Sequence, residues 1–433
     1  MSIQSTVVHG YVGNKSAVFP LQTLGLEVDP INTVSLSNHK GYPSFGSMPS
    51  LDENSLNSLL EGLKDNKLIG KYTHLLTGYI GNGALVTAEA KAYRELKSYN
   101  PDMQFVCDPV LGDNGRLYVA EDTAAAVAND LMPLCDVLTP NQFECELLSG
   151  VRIRTREDAI KALESLHGKG PKIVLLSSCS YESDSSHLEA LVSYKSSDVQ
   201  RVYAVTFPKI EGYSFTGTGD VTAAVFLAWL WRMPTDPCSA LEYALSTIQM
   251  IVKVTADNGG GELRLIQCGP QIAKPRLTVH ASRIAHPSQP LKGVIFDMDG
   301  TLPRPGQLDF AKIRERLGLS KTDDIVHSIM ALPEDQRSTA EKIVEALEVE
   351  AMDNAELMEG CVEVLKDLHS QGYKLGISTR NCLKAVEEFL KIAGLEQNTF
   401  DTIITRNYRV VKPHPEVALD ICNGWNLEPE QVL

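Results

Sequence analysis

Apolar segments alternate with amphipathic segments along the first 265 residues. Four apolar runs are typical of buried strands, and each ends in polar or turn residues: YTHLLTGYI (72–80), MQFVCDPVL (103–111), CDVLTP (135–140) and KIVLLSS (172–178). Between them, segments 85–99 and 155–170 repeat apolar side chains at helical spacing. Strands that alternate with helices indicate βαβ units, so we predict an α/β fold with a mostly parallel sheet.

Polar side chains fall where these strands end. They are Asp108, Asp113, Thr139, Asn141, Ser177 and Ser178. In open parallel sheets, ligands bind beyond the carboxyl ends of the strands. The sequence therefore predicts a binding site formed by these residues.

The alternation lapses between residues 266 and 290, where prolines are frequent and no period is sustained, so we interpret this stretch as a linker. It restarts with the apolar strand GVIFDMD (293–299), followed by a charged helical segment at 303–350. Two more apolar segments, at 374–379 and 402–406, predict further strands. The expected organisation is a first domain at 1–265, a linker at 266–290 and a second domain at 291–433.

Composition restricts the possible partners and compartment. A length of 433 residues favours two or three domains, and the net charge of -15 argues against a nucleic-acid partner, which requires a basic surface. The nine cysteines are scattered without a CxxC pair, which indicates a reducing, cytoplasmic compartment rather than a disulfide framework. Neither a signal peptide nor an apolar run of membrane-spanning length is visible, so no membrane association is expected.

The segment FTGTGD (215–220) precedes the strongly apolar run VTAAVFLAWLW. Glycines permit close backbone approach, and a helix N-terminus presents free N–H groups and the positive end of its dipole. The amides of Gly217, Thr218 and Gly219 can therefore form an anion hole for a phosphoryl group. Asp220 has two interpretations from the residues alone: a helix cap, or a base that accepts a proton from a substrate hydroxyl.

The motifs SIQSTVVHGYVGNKSAVFPLQTLG, SNHKGY, LLTGY, VCDPVLGD, LTPNQFECELLSG and FTGTGD follow one another in the chain. In this order, over residues 1–265, they resemble the pyridoxal kinases of the ribokinase-like superfamily. The resemblance implies ATP-dependent phosphorylation of the 5′-hydroxyl of pyridoxal, pyridoxine and pyridoxamine. It also implies a central parallel sheet flanked by helices, and a homodimer.

The same resemblance assigns roles to individual residues. Asp220 is implied as the catalytic base, with the amides of Gly217, Thr218 and Gly219 as the anion hole. The implied contacts of the vitamer are Ser5, Val34, Leu36, Lys40 and Tyr79. The implied contacts of ATP are Asp108, Asp113, Asn141, Glu144, Ser177, Ser178 and Thr218. Mg²⁺ is implied at Asp108 and Glu144, a monovalent cation (K⁺ or Na⁺) at Thr139, and a mobile cover over ATP at 111–122.

One residue departs from the family pattern. Pyridoxal kinases usually carry threonine where this chain has Lys40, in SNHKGY. A lysine can reach the phenolate oxygen of the vitamer ring, form an adduct with its aldehyde, or turn to solvent. The sequence leaves these alternatives open.

The segment KGVIFDMDGTL (292–302) carries a second chemistry. One carboxylate of DxDGT can attack phosphorus and the other can protonate the leaving group, and the pair attracts Mg²⁺. The segment resembles the haloacid-dehalogenase-like phosphatases, with a Rossmann-like sheet and a small helical cap. The resemblance implies Asp297 as nucleophile, Asp299 as acid/base, and Thr379 and Lys412 as phosphate contacts.

Members of this second family continue beyond the position of EPEQVL into a strand with further acidic metal ligands. We therefore expect the domain at 291–433 to be incomplete and to hydrolyse phosphate esters weakly. Its substrate stays open.

Two other functions compete with a pyridoxal kinase. Hydroxymethylpyrimidine kinases belong to the same superfamily, but they often carry cysteine at the position of Asp220, and the TPNQFE motif points away from them. A catalytically silent kinase fold could instead act as a dimeric scaffold for the second domain. Lys40 favours that alternative, whereas Asp220 and Asp108 argue against it.

Overall fold

The computed structural model describes residues 1–181, 184–196, 199–210, 212–284, 290–306, 308–320, 323, 325–353, 355–410, 412–427 and 429–433. The chain forms two compact units, Met1–His286 and Pro287–Leu433. Each unit has its own hydrophobic core, and each is described by itself.

The strands of the first unit are β1 (Ser2–Val7), β2 (Pro30–Leu36), β3 (His74–Thr77), β4 (Gln104–Cys107), β5 (Gly112–Asp113), β6 (Arg116–Leu117), β7 (Val137–Leu138), β8 (Ile173–Tyr181), β9 (Asp184–Ser196), β10 (Val199–Pro208) and β11 (Ser282–Ile284). Nine of them form one sheet in the order β11-β10-β9-β8-β7-β4-β3-β1-β2. The pairs from β2 to β8 are parallel, and those from β8 to β11 are antiparallel. The pair β5–β6 forms a separate small hairpin.

Helices cover both faces of this sheet. They are α1 (Asn14–Thr23), α2 (Glu53–Asp65), α3 (Gly83–Tyr99), α4 (Glu121–Ala126), α5 (Gln142–Ser149), α6 (Arg156–His167), α7 (Thr218–Arg232), α8 (Pro237–Asp257) and α9 (Gly269–Ala273). One core contains side chains of α3 and α6, and the other those of α1, α7 and α8. Helix α7 is buried from Asp220 to Ala228 because nearly every residue after Asp220 is apolar. The predicted α/β sheet flanked by helices is confirmed.

The predicted linker at 266–290 differs from the structure. Residues 269–273 form α9, and β11 pairs antiparallel with β10 at the edge of the sheet. A three-residue edge strand is held by backbone hydrogen bonds, so it needs no hydrophobic period that the sequence could reveal. Residues 285–289 of the predicted linker lie outside the described residues.

The second unit has a three-stranded parallel sheet in the order β12-β13-β14, formed by β12 (Gly293–Phe296), β13 (Lys374–Ser378) and β14 (Thr402–Ile404). Its helices are α10 (Phe310–Leu317), α11 (Ile325–Met330), α12 (Glu334–Asp353), α13 (Cys361–Ser370), α14 (Leu383–Ile392) and α15 (Glu416–Trp425). Helices α10, α11 and α12 share a small core of their own, which is the expected helical cap. Strand β12 ends this sheet on one side, and an isolated parallel bridge joins its first residue, Gly293, to Val432.

Among the described residues, no helix is both long enough and apolar enough to cross a membrane.

Glu89 on α3 is fully buried, and neither of its carboxylate oxygens has a hydrogen-bond partner within the described part of the chain. Burial raises the pKa of this carboxyl well above its ordinary value. A carboxyl whose pKa is higher in the folded than in the unfolded chain destabilises the fold as pH rises above the unfolded value of about 4.3.

We therefore expect Glu89→Gln to melt at a higher temperature than the natural protein at pH 8 and at nearly the same temperature at pH 4.5. The amide has the same shape and does not ionise, so the difference in melting temperature should grow with pH. Thermal unfolding from pH 4.5 to 8 measures it, with the exposed Glu53→Gln in α2 as control. A difference independent of pH would contradict the assignment.

Candidate active sites

The GTG turn places the N-terminus of α7 against the loop at residues 10–13. Gly217 has φ 87°, and a Cβ at this position would lie 2.1 Å from the carbonyl oxygen of Tyr11. Only glycine fits both the left-handed conformation and the close backbone approach. Helix α7 begins at the next residue, so the amides of its first turn have no intrahelical partner and can bind an anion.

Asp220 lies in the first turn of α7 and is only 9% exposed. The N-cap position belongs to Gly217 and no side chain caps the helix, so the geometry does not support the capping interpretation of Asp220. Burial raises the pKa of Asp220 to about 6, and the backbone N–H of Gly13 acts in the opposite direction. The carboxyl is therefore largely ionised near pH 7 and can accept a proton there.

Asp108 and Glu144 form an acidic cluster beside this turn. Both are buried, and Asp108 Oδ2 lies 4.0 Å from the Cβ position of Gly219. Burial, followed by the charges of Glu144 and Asp220, raises the pKa of Asp108 well above its ordinary value. Burial also raises the pKa of Glu144, to about 7, against hydrogen bonds from backbone N–H groups. Repulsion among these carboxylates favours a cation among them.

Asn141 and Glu144 also hold the backbone. Asn141 caps α5 and forms a reciprocal capping box with Glu144. The N–H of Leu111 donates to Glu144 Oε1 at 2.8 Å, and Asn141 Nδ2 donates to the carbonyl of Gly112 at 2.8 Å. These hydrogen bonds hold the first residues of the predicted ATP cover. The structure forms the β5–β6 hairpin there.

The other residues predicted to contact the nucleotide or the monovalent cation do not form a single cluster. Thr139 is buried, and its hydroxyl acts on the carboxyl of Asp108, where it opposes the rise in pKa that burial causes. Ser177 and Ser178 lie inside β8 rather than after it, because the strand continues into its antiparallel pairing with β9 through a register shift. Ser177 still bonds to the carbonyl of Pro140 beyond β7. Asp113 is exposed on the hairpin turn, where it accepts the N–H of Asn114, and is not part of the acidic cluster.

Most of the predicted vitamer contacts lie together. Val34, Leu36 and Tyr79 belong to one apolar cluster with Val7 and Val12. Lys40 is exposed, and its Nζ donates to the hydroxyl of Tyr79 at 2.7 Å, so it is neither buried nor turned away from the cluster. Ser5 is buried on β1, and its Oγ lies 2.7 Å from the Cβ position of Gly13. Gly13 in turn faces Asp220, which brings the apolar cluster to the first turn of α7.

In the second unit, Asp297 and Asp299 line a cavity of about 330 Å³. Lys412 Nζ donates to Asp297 at 2.7 Å, and Asn381 Nδ2 donates to Asp299 at 3.0 Å. Thr379 is buried, and its hydroxyl accepts the N–H of Asn381. Apolar side chains of the cap line part of the same cavity: Leu308, Phe310, Ile313, Ile325, Ile329 and Val344.

Sequence reasoning missed three residues that hold these sites. Gly13 faces Asp220, Glu262 bonds to the loop at residues 10–13, and Asn381 orients Asp299. The glycine runs around Gly13 and Glu262 signal turns, but no local pattern reveals a partner some 250 residues away. Asn381 was visible close to Thr379 in GISTRN, without a spacing that links it to DxDGT.

Comparison with known proteins identifies a family for each unit. Residues 72–264 match the phosphomethylpyrimidine kinase family, and residues 303–433 match the haloacid dehalogenase-like hydrolases. Pyridoxal kinase of Arabidopsis thaliana is 41% identical over 293 residues, which cover 65% of this chain and 94% of the relative. Human pyridoxal kinase is 38% identical over 307 residues, covering 65% of this chain and 97% of the relative.

Solved structures agree as well. Pyridoxal kinase from Leishmania donovani in complex with ADP superimposes with a TM-score of 0.62 at 36% identity, over 65% of this chain and 98% of the other. Its complex with ADP and pyridoxine gives a TM-score of 0.61 at 35% identity, over 65% and 99% of the two chains. Both family resemblances inferred from the motifs are thereby confirmed.

Proposed function

The chain belongs to the pyridoxal kinase family, and from this premise we propose that its first unit transfers the terminal phosphoryl group of ATP to the 5′-hydroxyl of pyridoxal, pyridoxine and pyridoxamine. The observation that carries the proposal is the GTGD turn. Gly219 lies beside Asp108 of the acidic cluster suited to a metal–nucleotide complex, and Asp220 faces Gly13, which follows Val12 of the apolar cluster suited to a pyridine ring. The same turn supplies bare amides and a buried carboxylate.

In the proposed reaction, Asp220 accepts the proton of the 5′-hydroxyl as its oxygen bonds to the γ-phosphorus. The bond between that phosphorus and the bridging oxygen breaks, and ADP leaves with the electron pair. The amides of Gly217, Thr218 and Gly219 stabilise the charge on the transferring group. Asp220 then releases its proton to solvent.

The acidic cluster fits Mg²⁺, which takes few protein carboxylates because waters and phosphate oxygens complete its ligands. We assign Asp108 and Glu144 to the cation, which would offset the charge of the ATP phosphates when bound. The buried hydroxyl of Thr139, beside the carboxylate of Asp108, suits a monovalent cation, K⁺ or Na⁺. We assign Asn141, Ser177, Ser178 and Thr218 to the nucleotide, and Asp113 to the edge of its site.

We propose a homodimer formed through the kinase unit. Strand β2 ends the large sheet, and the segment after it exposes Phe45 and Met48. Residues 46–51 bond along β2 through the N–H groups of Met48 and Leu51, and the exposed apolar side chains of this segment are stabilised when a second copy covers them. We also propose a cytoplasmic location, because all nine cysteines are free thiols, as in reducing compartments.

For the second unit we propose haloacid-dehalogenase-type chemistry, with Asp297 as nucleophile, Asp299 as acid/base, and Thr379 and Lys412 as phosphate contacts. Asp297 and Asp299 are two acids on one loop, and such a pair holds Mg²⁺ weakly without a further carboxylate. Attack by a carboxylate on an anionic phosphate needs a cation to offset their repulsion. We therefore propose that this chain hydrolyses phosphate esters weakly.

Asp220→Ala should stay folded and lose pyridoxal phosphorylation by roughly a hundredfold or more, as expected when a general base is removed. A coupled assay of ADP and vitamer phosphate measures it, with Asp65→Ala on the exposed end of α2 as matched control. Near-normal turnover would show that Asp220 is not the base.

Lys40→Thr should tighten pyridoxal binding or leave it unchanged, because the substitution restores the residue usual in the family and frees the hydroxyl of Tyr79. The KM for pyridoxal measures the effect, with the exposed Lys71→Thr as control. A large loss of kinase activity would identify the lysine as a required contact of the vitamer.

Hydrolysis of p-nitrophenyl phosphate and pyridoxal 5′-phosphate with Mg²⁺ should be equally low for this chain and for Asp297→Asn. Two acids on one loop hold Mg²⁺ weakly. Robust hydrolysis that disappears in the variant would refute this expectation and establish a working second site.

A further inference from the structure

The carboxylate of Glu262 lies where two loops of the kinase unit meet. Its Oε2 accepts the backbone N–H of Tyr11 at 3.0 Å, and its Oε1 accepts the hydroxyl of Tyr42 at 2.9 Å. His39 Nε2 lies 3.2 Å from the same Oε1. The Glu262 side chain is only 17% exposed. One carboxylate therefore joins the loop at residues 10–13 to the loop at residues 37–46.

Glycines with left-handed φ angles lie around this carboxylate. Helix α8 ends at Asp257, and the three glycines at 259–261 all have left-handed φ angles, 87°, 77° and 85°. Gly10 also has a positive φ, and a Cβ there would lie 2.3 Å from Glu262 Oε2. The carboxylate therefore packs directly on bare backbone, which only glycine allows.

The first of the two loops continues into the phosphoryl-transfer site. The carbonyl of Tyr11 lies against Gly217, and the N–H of Gly13 faces Asp220. Glu262 binds the N–H of the same residue, Tyr11, whose carbonyl contacts the anion hole. A shift of this loop would move both the anion hole and the base.

The second loop contacts the apolar cluster that we assign to the vitamer through Lys40, whose Nζ lies 5.0 Å from the centre of the Tyr79 ring. Its ends are held by the bond from the N–H of Ser37 to the carbonyl of Gly46. From this loop, Lys40 reaches the hydroxyl of Tyr79, and Tyr42 and His39 reach Glu262. The loop is therefore attached at one side to the vitamer cluster and at the other to Glu262.

We propose that Glu262 is a positioning residue that latches the loop at 37–46 onto the loop at 10–13, so that the vitamer is enclosed while Asp220 is aligned with its hydroxyl. The inference rests on the proposed kinase function. Closure of loops over a kinase site excludes water, which otherwise competes with the substrate hydroxyl for the phosphoryl group. Glu262 thus governs vitamer affinity and the coupling of ATP cleavage to product formation, without touching either substrate.

The test compares Glu262→Gln with the natural protein in an assay of ADP and vitamer phosphate together. The amide keeps the shape and one acceptor, but its nitrogen can only donate, so the hydroxyl of Tyr42 would have to accept from it, and the contacts with both loops lose the negative charge. Loss of hydrogen bonds to a charged group predicts a KM for pyridoxal raised about tenfold or more. The KM for ATP and the melting temperature should be nearly unchanged, and the ADP formed per vitamer phosphate should rise above one.

Two further variants make the outcome specific. Tyr42→Phe removes one arm of the latch from an exposed residue, so it should fold and reproduce part of the KM increase. Its effect should not add to that of Glu262→Gln, because both remove the same contact. Glu242→Gln, on α8 and bonded to the N–H of Ala281, is the matched control and should leave both KM values unchanged.

An unchanged pyridoxal KM with one ADP per product in Glu262→Gln and Tyr42→Phe would overturn the proposal. Equal increases in both KM values with a lower melting temperature would also overturn it, since they would show a purely structural role. If the natural protein phosphorylates no vitamer, the kinase function fails instead. That failure is distinguishable because it is seen before any variant is made.

Discussion

The proposed phosphoryl-transfer site of the kinase unit depends on two places where backbone segments pack directly against each other, with no side chain between them. The Cβ position of Gly217 lies 2.1 Å from the carbonyl oxygen of Tyr11, and that of Gly13 lies 2.1 Å from the carbonyl oxygen of Ser5. These two approaches fix the loop at residues 10–13 between β1 and the start of α7. A residue with a side chain at either glycine would push the two backbone segments apart. The anion hole would then move away from the carboxyl ends of the strands, where the acidic cluster lies.

The same close packing concentrates negative charge. Asp108, Glu144 and Asp220 are all buried, and burial is the main reason why each has a raised pKa. Such an arrangement costs folding stability, and a cation bound among the groups, as proposed, would offset that cost. In the proposed site, local amides and cations would outweigh the net charge of -15 where the anionic nucleotide binds.

The sequence predicted the parallel half of the fold well because its signals are local. Helix α6 and the strand after it follow from periodicity, and the FTGTGD motif located the turn itself. It did not predict the long β9–β10 hairpin or β11, whose stability comes from pairing along one sheet edge. Glu262 stayed hidden for the same reason: its partners are Tyr11 and Tyr42, more than 200 residues away, and no spacing within the chain records that contact.

The two units present a carboxylate to phosphorus in opposite surroundings, and the surroundings match the proposed roles. Asp220 is buried, faces the N–H of Gly13, and has a pKa of about 6, which suits a group that must accept a proton and release it again. Asp297 is half-exposed, and the ammonium of Lys412 at 2.7 Å compensates its charge, which suits a group that attacks as an anion. In the proposed mechanisms, environment rather than residue type therefore separates the base from the nucleophile. Burial raises the pKa of Asp299 and the charge of Lys412 opposes that shift, so one ammonium acts on both carboxylates, and a phosphate entering the cavity would add further negative charge.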